Sequence, residues 1–486
     1  MKDSKNLYLI SLFLFSTLIT SGVHAESKVQ ILIEKLVANY GGDKLLSNKT
    51  INIKEHYKQF NSDQNHNPDK VDVDDYRISV NIDYINQRKN IRRLLGRPKI
   101  QYMWERIFDG EQGYQLNHNE KTFQLDSNVT YANADWNYSY TLDTVLVKML
   151  YEARNTAKYI GAQFYQGGSH QIIKFKTNID KELTLFIDEH SGFISQMTRA
   201  HYKPNETFSY HFSNYQKRSG IIYAANSYIT SASLPHTLTM AREVLFNATN
   251  DDAFQIPRQY KKSPQEIDTK KMVVKVLAPG VYHVGKNWGF SIFVDMGDYF
   301  VASGAYRQFT QRFEAIKAFT GSNKPLKFQI VTHHHLDHLG GIKQVAALGA
   351  SFITVKEHVD SIKTQAGIEL SDEKFILVDE KINLFDGRLQ IIDVATSHSD
   401  HNLISYFTNS KIVFTADHFY SRQKSGSIQG DPDLVLIRNK LAKHQFDVSE
   451  FAAAHSHRIL TIAELNQAIK DSKTLSCPEG WDICSN

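Results

Sequence analysis

The run Thr332-His333-His334-His335-Leu336-Asp337-His338-Leu339-Gly340-Gly341 constrains the fold of this chain more than any other stretch, because it crowds metal-capable side chains at a spacing that can serve two ions. Ahead of it, Phe328-Gln329-Ile330-Val331 reads as a short strand. His333 and His335, two apart in an extended segment, then project to one side, and His334 projects to the other, where it packs or braces its neighbours. Asp337 and His338 come after the chain has turned toward the helical pattern Ile342–Leu348, and so aim at a second ion. Gly340 and Gly341 let that turn run close. A histidine-rich surface tract that gathers metal adventitiously needs no flanking strand, no acidic residue in register and no distant partners. This run has all three.

The distant partners follow in a fixed order. His398 lies between the strand-like Ile391-Ile392-Asp393-Val394 and Ile404-Ser405-Tyr406-Phe407. Asp417 ends the apolar strand Lys411-Ile412-Val413-Phe414-Thr415-Ala416. His455 follows Phe451-Ala452-Ala453-Ala454, whose small residues allow close backbone approach. Each strand end presents one nitrogen or oxygen donor.

In this order of motifs the chain resembles the metallo-β-lactamase superfamily over about residues 270–470. The resemblance implies a C-terminal αββα sandwich and two divalent metal ions, with His333, His335 and His398 on the first and Asp337, His338 and His455 on the second. Asp417 would bridge them, and Asp337 would also orient a metal-bound hydroxide. The sequence departs from the family pattern in three places. The usual Asp-x-Gly after an early strand is replaced near Val301-Ala302-Ser303-Gly304, so the ligand loop must be supported from elsewhere. Ser397-His398-Ser399 stands where Gly-His-Thr is usual, and His401 lies close enough to compete; His398 is preferred because it keeps the following strand in register. His457 competes in the same way with His455, which better fits the small-His-small pattern.

Neutral imidazoles bind zinc at about 2.0–2.1 Å, and a bridging carboxylate offsets the repulsion between two cations. Water shared by such ions loses a proton near neutral pH and attacks a carbonyl or phosphoryl centre. Zinc is the first choice of metal, while a His/Asp set also suits iron or manganese. The function this implies is hydrolysis of an ester, lactone, thioester or related small substrate. The alternatives are a β-lactam hydrolase, an iron-dependent oxidoreductase on the same fold, and a periplasmic binding protein whose metal domain is vestigial.

Residues 1–25 combine a basic start (Lys2, Lys5), an apolar run from Leu7 to about Thr20, and Val23-His24-Ala25 before Glu26, the pattern of a cleavable secretory signal. The apolar run is short of the ~20 residues that a spanning helix needs, so no stable membrane span is expected after cleavage. The expected location is periplasmic or secreted. Only two cysteines occur, Cys477 and Cys484, and in an oxidising compartment they are expected to form a local disulfide in the tail 471–486. A formal net charge of +4 is too small for 486 residues to suggest nucleic-acid binding. Lys89, Arg92 and Arg93 are read as a solvated strand face. The expected partner is a small-molecule substrate, with oligomeric state open.

Residues 26–257 change in pattern. An amphipathic helix over Val29–Val37 ends at Gly41-Gly42, alternating strands such as Ile51-Asn52-Ile53 and Ile78–Ile82 follow, and a second helical stretch spans about Leu142–Tyr159. The expected fold is α+β, with an N-terminal curved antiparallel β-sheet domain with helices, a polar linker over 258–269 and the sandwich over 270–470. Aromatics in the first half (Tyr102, Trp104, Phe108, Trp136, Tyr138) are read as sheet core. Tyr282, Trp288, Phe290, Phe419 and Tyr420 are candidates for a pocket wall.

Overall fold

The computed structural model of the protein describes residues 28–472 except 62–63, 97–100, 119, 203–204, 249–250 and 429, together with 477–478 and 481–484. The secretory-signal reading of residues 1–25 therefore falls outside the described residues. Among these residues, no helix is long and apolar enough to cross a membrane.

The first half is one 14-stranded sheet built from two successive meanders. They join where strand β1 (Thr50–Asn61) pairs antiparallel with Leu234–Phe246. Strand β2 (Asp72–Asp83) lies on the other side of β1, with Asn61 opposite Asp72, and the described residues 64–71 form a loop between the two strands. Alternation decides the faces. Ile51 and Ile53, with Ile78, Val80 and Ile82 beside them, bury one face under a helix over residues 28–40 and a second helix, Asp143–Glu152. Buried Asp143 ties these pieces together, accepting from the Tyr40 hydroxyl at 2.7 Å and from the Ala224 amide at 2.9 Å. The second helix stops at Glu152, short of the expected Tyr159. Thr156 there exchanges hydrogen bonds with the backbone of Lys176, which draws the chain into the strand Lys158–Tyr165.

The basic residues expected to form one solvated strand face divide between the two faces of the sheet, Lys89 and Arg93 on one and Arg92 on the other, and each is at least partly covered. Lys89 is 3 % exposed and reaches Asp135, Arg92 donates to Glu105 at 2.9 Å, and Arg93 lies over the Tyr76 ring. Buried amides line the same region, with Asn52 donating to Asn81 and Asn90 to Glu105. The C-terminal tail supplies part of the cover: Trp481 and Ile483 pack on Leu94 and Met103, and the Cys477–Cys484 disulfide closes the segment. Trp104 and Trp136 keep more than a third of their surface exposed and are not core residues. Lys261 and Lys262, within the stretch expected to be a linker, pair in parallel with Thr122 and Phe123 as the fourteenth strand.

Beyond residue 272 the chain forms two further sheets, of seven and six strands. Val281, Ile292, Val301, Ile330 and Ile353 from one face Leu389, Ile391, Leu403 and Phe414 from the other across a shared core. Helices Phe309–Thr320, Ile342–Ala347 and Val359–Ala366 cover the outer side of the seven-stranded sheet. Pro432–Lys443 and Ile462–Asp471 cover the outer side of the other. The result is a helix–sheet–sheet–helix stack.

Candidate metal centre

Four strands of this stack deliver donors from the residues just past their C-terminal ends. Leu326–Ile330 leads to the His333–His338 loop, Leu389–Asp393 to His398, Ile412–Phe414 to Asp417 and Glu450–Ala452 to His455. After His335 the chain enters a short helix, Leu336–Leu339, which turns Asp337 and His338 away from the strand direction. Gly341 makes this turn possible, since a Cβ there would meet the Tyr306 carbonyl oxygen at 2.6 Å.

The donors converge in two sets. His333, His335, His398 and Asp417 bring one ligand atom each to within 4.8 Å of one another, and so do Asp337, His338, Asp417 and His455. Asp417 belongs to both, and its two oxygens are divided between them. Oδ2 lies 3.2 Å from His398 Nε2 and 3.7 Å from His333 Nε2, whereas Oδ1 lies 2.6 Å from His338 Nε2 and 3.3 Å from His455 Nε2. Asp337 Oδ2 stands 3.5 Å from His338 Nε2 and 3.6 Å from His455 Nε2.

These atoms are what a metal site requires. His338 Nε2 and Asp417 Oδ1 approach closely but off the line of a hydrogen bond, and both, with His335 Nδ1, are buried without a hydrogen-bond partner. Left unsatisfied, such groups cost about 1–3 kcal/mol each; cations between the two sets would satisfy them. On three of the histidines the outer ring nitrogen is held by an oxygen: His333 Nδ1 by the Thr332 hydroxyl at 3.2 Å, His335 Nε2 by the Asn65 carbonyl at 2.9 Å, and His455 Nδ1 by the Trp288 carbonyl at 2.5 Å. A carbonyl only accepts, so in the neutral rings of His335 and His455 the proton sits on that nitrogen and the other is the one left for a metal.

Protonation differs between the sets. Burial holds His333 far below the usual imidazole range, with the neighbouring His338 acting the same way. Burial also brings His335 down to about 2. Asp417 is buried too, which acts to raise it, but His338, His455 and His333 around it hold the carboxyl well below its usual range. Burial opposes charge on His455 as well, yet Asp417, the Trp288 carbonyl and Asp337 outweigh it and bring this imidazole up to about 9. At neutral pH a metal entering the second set must therefore displace a proton from His455, while His333 and His335 of the first set are already deprotonated. Affinity at the second set should rise roughly tenfold per pH unit up to about pH 9. Metal titration of weakly buffered metal-free protein at pH 7 should release about one proton, with the second equivalent. Release of none, or release with the first equivalent, would contradict this asymmetry.

The two competing histidines lie outside both sets. His401 turns Nδ1 to Asp393 at 2.6 Å, and buried His457 places Nε2 2.6 Å from the Asn287 carbonyl. His334 contacts the Asn65 carbonyl at 2.8 Å and also stays out. Of the aromatic candidates, Phe290 and Phe419 are buried, while Trp288 and Tyr420 are exposed. Tyr420 sits 5.9 Å from the His455 ring, and Arg422 stacks on Trp288. Sequence reasoning missed Tyr306, whose ring lies 5.8 Å from both His338 and His455. It also missed Asn65, 269 and 270 residues away from the two histidines it contacts. Nothing local to either residue signals its place.

The metallo-beta-lactamase superfamily model matches residues 304–425, a span that holds every donor except His455. A hydroxyacylglutathione hydrolase from Prochlorococcus marinus is 22% identical over 129 residues, 25% of this chain and 48% of the relative. The chain thus spans about half the length of the curated relative it matches. Among solved structures, a metallo beta lactamase from Hirschia baltica is 19% identical, covering 42% of this chain and 98% of that one at a TM-score of 0.33. The metallo-beta-lactamase FIM-1 from Pseudomonas aeruginosa is 14% identical, covering 43% and 96% at a TM-score of 0.33. The matched span encloses the histidine run and the strand-end donors His398 and Asp417 that follow it, and over that span the C-terminal half of this chain is similar to the metallo-beta-lactamase superfamily.

Proposed function

We propose that the protein is an exported hydrolase that holds two divalent cations, zinc in the first instance, and cleaves an ester, lactone or thioester. The observation that carries this reading is Asp417, whose two carboxylate oxygens face separate donor sets. Cations held there would supply an activated water and polarise the bond under attack. Asp337, partly exposed beside His338 and His455, is placed to accept a hydrogen bond from that water and fix its direction. The backbone and hydroxyl oxygens on the outer nitrogens of His333, His335 and His455 keep the rings from rotating. His398, 27 % exposed, marks the open side through which a substrate enters.

A carboxylate between two cations lowers the net positive charge of the pair, which disfavours anionic substrates relative to neutral ones. The curated relative is named a hydroxyacylglutathione hydrolase, which supports the thioester option among these substrates. Export rests on the signal pattern of residues 1–25, on the disulfide between Cys477 and Cys484, and on the preference of such bonds for oxidising compartments. The same proposal divides the chain into a β-rich unit at 26–257, a connector at 258–269, the metal domain at 270–470 and the tail at 471–486.

The test is a panel of chromogenic esters, lactones, thioesters, β-lactams and phosphodiesters with zinc-, manganese- and iron-loaded protein. Turnover of at least one ester, lactone or thioester above every β-lactam is expected. Fastest cleavage of a β-lactam would replace the ester reading, and oxygen uptake by the iron form without hydrolysis would replace both.

A further inference from the structure

The family's usual aspartate behind the ligand loop is absent, since Ser303 occupies that region and spends its hydroxyl on Ser405 at 3.2 Å. The support comes from outside the metal domain. We propose that residues 64–70, in the loop between β1 and β2 of the 14-stranded sheet, are a positioning arm of the metal centre, through which the N-terminal half sets metal affinity. This inference rests on the metal-binding reading of the site.

The Asn65 carbonyl accepts from His335 Nε2 at 2.9 Å and from His334 Nε2 at 2.8 Å, using both lone pairs of one oxygen. The same loop reaches the second set, where the Gln64 amide donates to Asp337 Oδ1 at 3.1 Å. It is anchored on the segment that carries His398. His66 places Nδ1 2.7 Å from Asp400 and Nε2 2.8 Å from the Thr396 carbonyl, Asn67 donates to Asp400 Oδ2 at 2.7 Å, and the Asp400 amide donates to the His66 carbonyl at 2.9 Å. Within the loop, Asn65 Nδ2 caps the carbonyls of Asn67 and Lys70, and Asp72 accepts from the His66 amide at 2.6 Å. Asn65 itself is 2 % exposed, so its carbonyl has no competing water to face. The arm is therefore a folded object, braced at its root and fixed to two of the segments that bear ligands. Without it, His335 would keep a buried Nε2 proton with no acceptor and nothing to fix the ring.

The experiment compares the full chain with two variants. In one, residues 62–71 are replaced by Asn-Gly, a turn that suits the antiparallel pair Asn61 and Asp72. In the other, His66→Ala and Asn67→Ala cut the anchor but keep the loop. Zinc affinity is read by chelator competition, ligand geometry by the visible spectrum of the cobalt form, and folding by the melting of metal-free protein. The loop replacement is expected to weaken zinc binding by about 10–100-fold, as loss of a ligand's outer partner does elsewhere, and to alter the cobalt bands. The double variant should show a smaller loss in the same direction. Wild-type zinc affinity and cobalt spectrum in a folded loop replacement would overturn the proposal, and the double variant decides in the same way if the replacement does not fold. Wild-type protein that binds no metal would instead remove the metal-site reading itself, an outcome distinct from a wild type and variants that bind equally well.

Discussion

Asp417→Ala is expected to strip metal from both donor sets at once, because each set loses the carboxylate oxygen turned toward it. Removing a group that merely touches a ligand costs about 10–100-fold in metal affinity or activity. Loss of a shared ligand should exceed that, with hydrolysis falling by more than about 100-fold. Elemental analysis after gel filtration should find less metal in both sets, whereas His455→Ala should spare the first. Asp417→Ala protein that retains its full metal content would place the bridge elsewhere. Asp417→Asn is informative beside it, since the amide keeps the shape but not the charge that holds His455 protonated in the metal-free protein.

The second large effect is expected far from the metal centre. Glu55 and Arg242 form an ion pair of 2.6 Å inside the N-terminal sheet, with side chains 1 % and 0 % exposed. Thr239 also donates to Glu55, while Arg242 reaches the Ala224 carbonyl and Ser227. Glu55→Ala leaves a guanidinium buried without its counter-ion, a change that costs about 3–5 kcal/mol. Urea unfolding followed through the sheet should show this loss. Changing both partners, Glu55→Leu with Arg242→Leu, should recover much of it, because no unpaired charge remains. A loss under about 1 kcal/mol in the single variant would mean that water reaches the guanidinium. The metal site should be affected only through the loop of residues 64–70, since that loop is rooted on the strand that carries Glu55.

What the sequence by itself determined is the chemistry and the local geometry. The two-residue step from His333 to His335, the turn before Asp337 and His338, and the small residues before His455 each dictate what their own strand end can present. Period-two alternation likewise marks Ile51 and Ile53, or Ile78, Val80 and Ile82, as one face of a sheet. The cysteines seven apart needed little more than their spacing to meet. These readings hold because the physics is carried within a few residues of the chain.

Only the tertiary structure decided which of two nearby histidines joins a set. His398 and His401 are three residues apart, and Asp393 claims His401 while Asp417 faces His398. It also buried Lys89 and partly covered Arg92 and Arg93, whose charges read as a wet face until Asp135, Glu105 and the Tyr76 ring are brought to them. Most of all it set the loop of residues 64–70 against His334 and His335. A carbonyl oxygen is present in every residue, so no side-chain pattern can mark Asn65 as the one that meets a buried imidazole. That choice is made by the pairing of β1 with its neighbours and by the anchor on Asp400, where Asn67 contacts a residue 333 positions away.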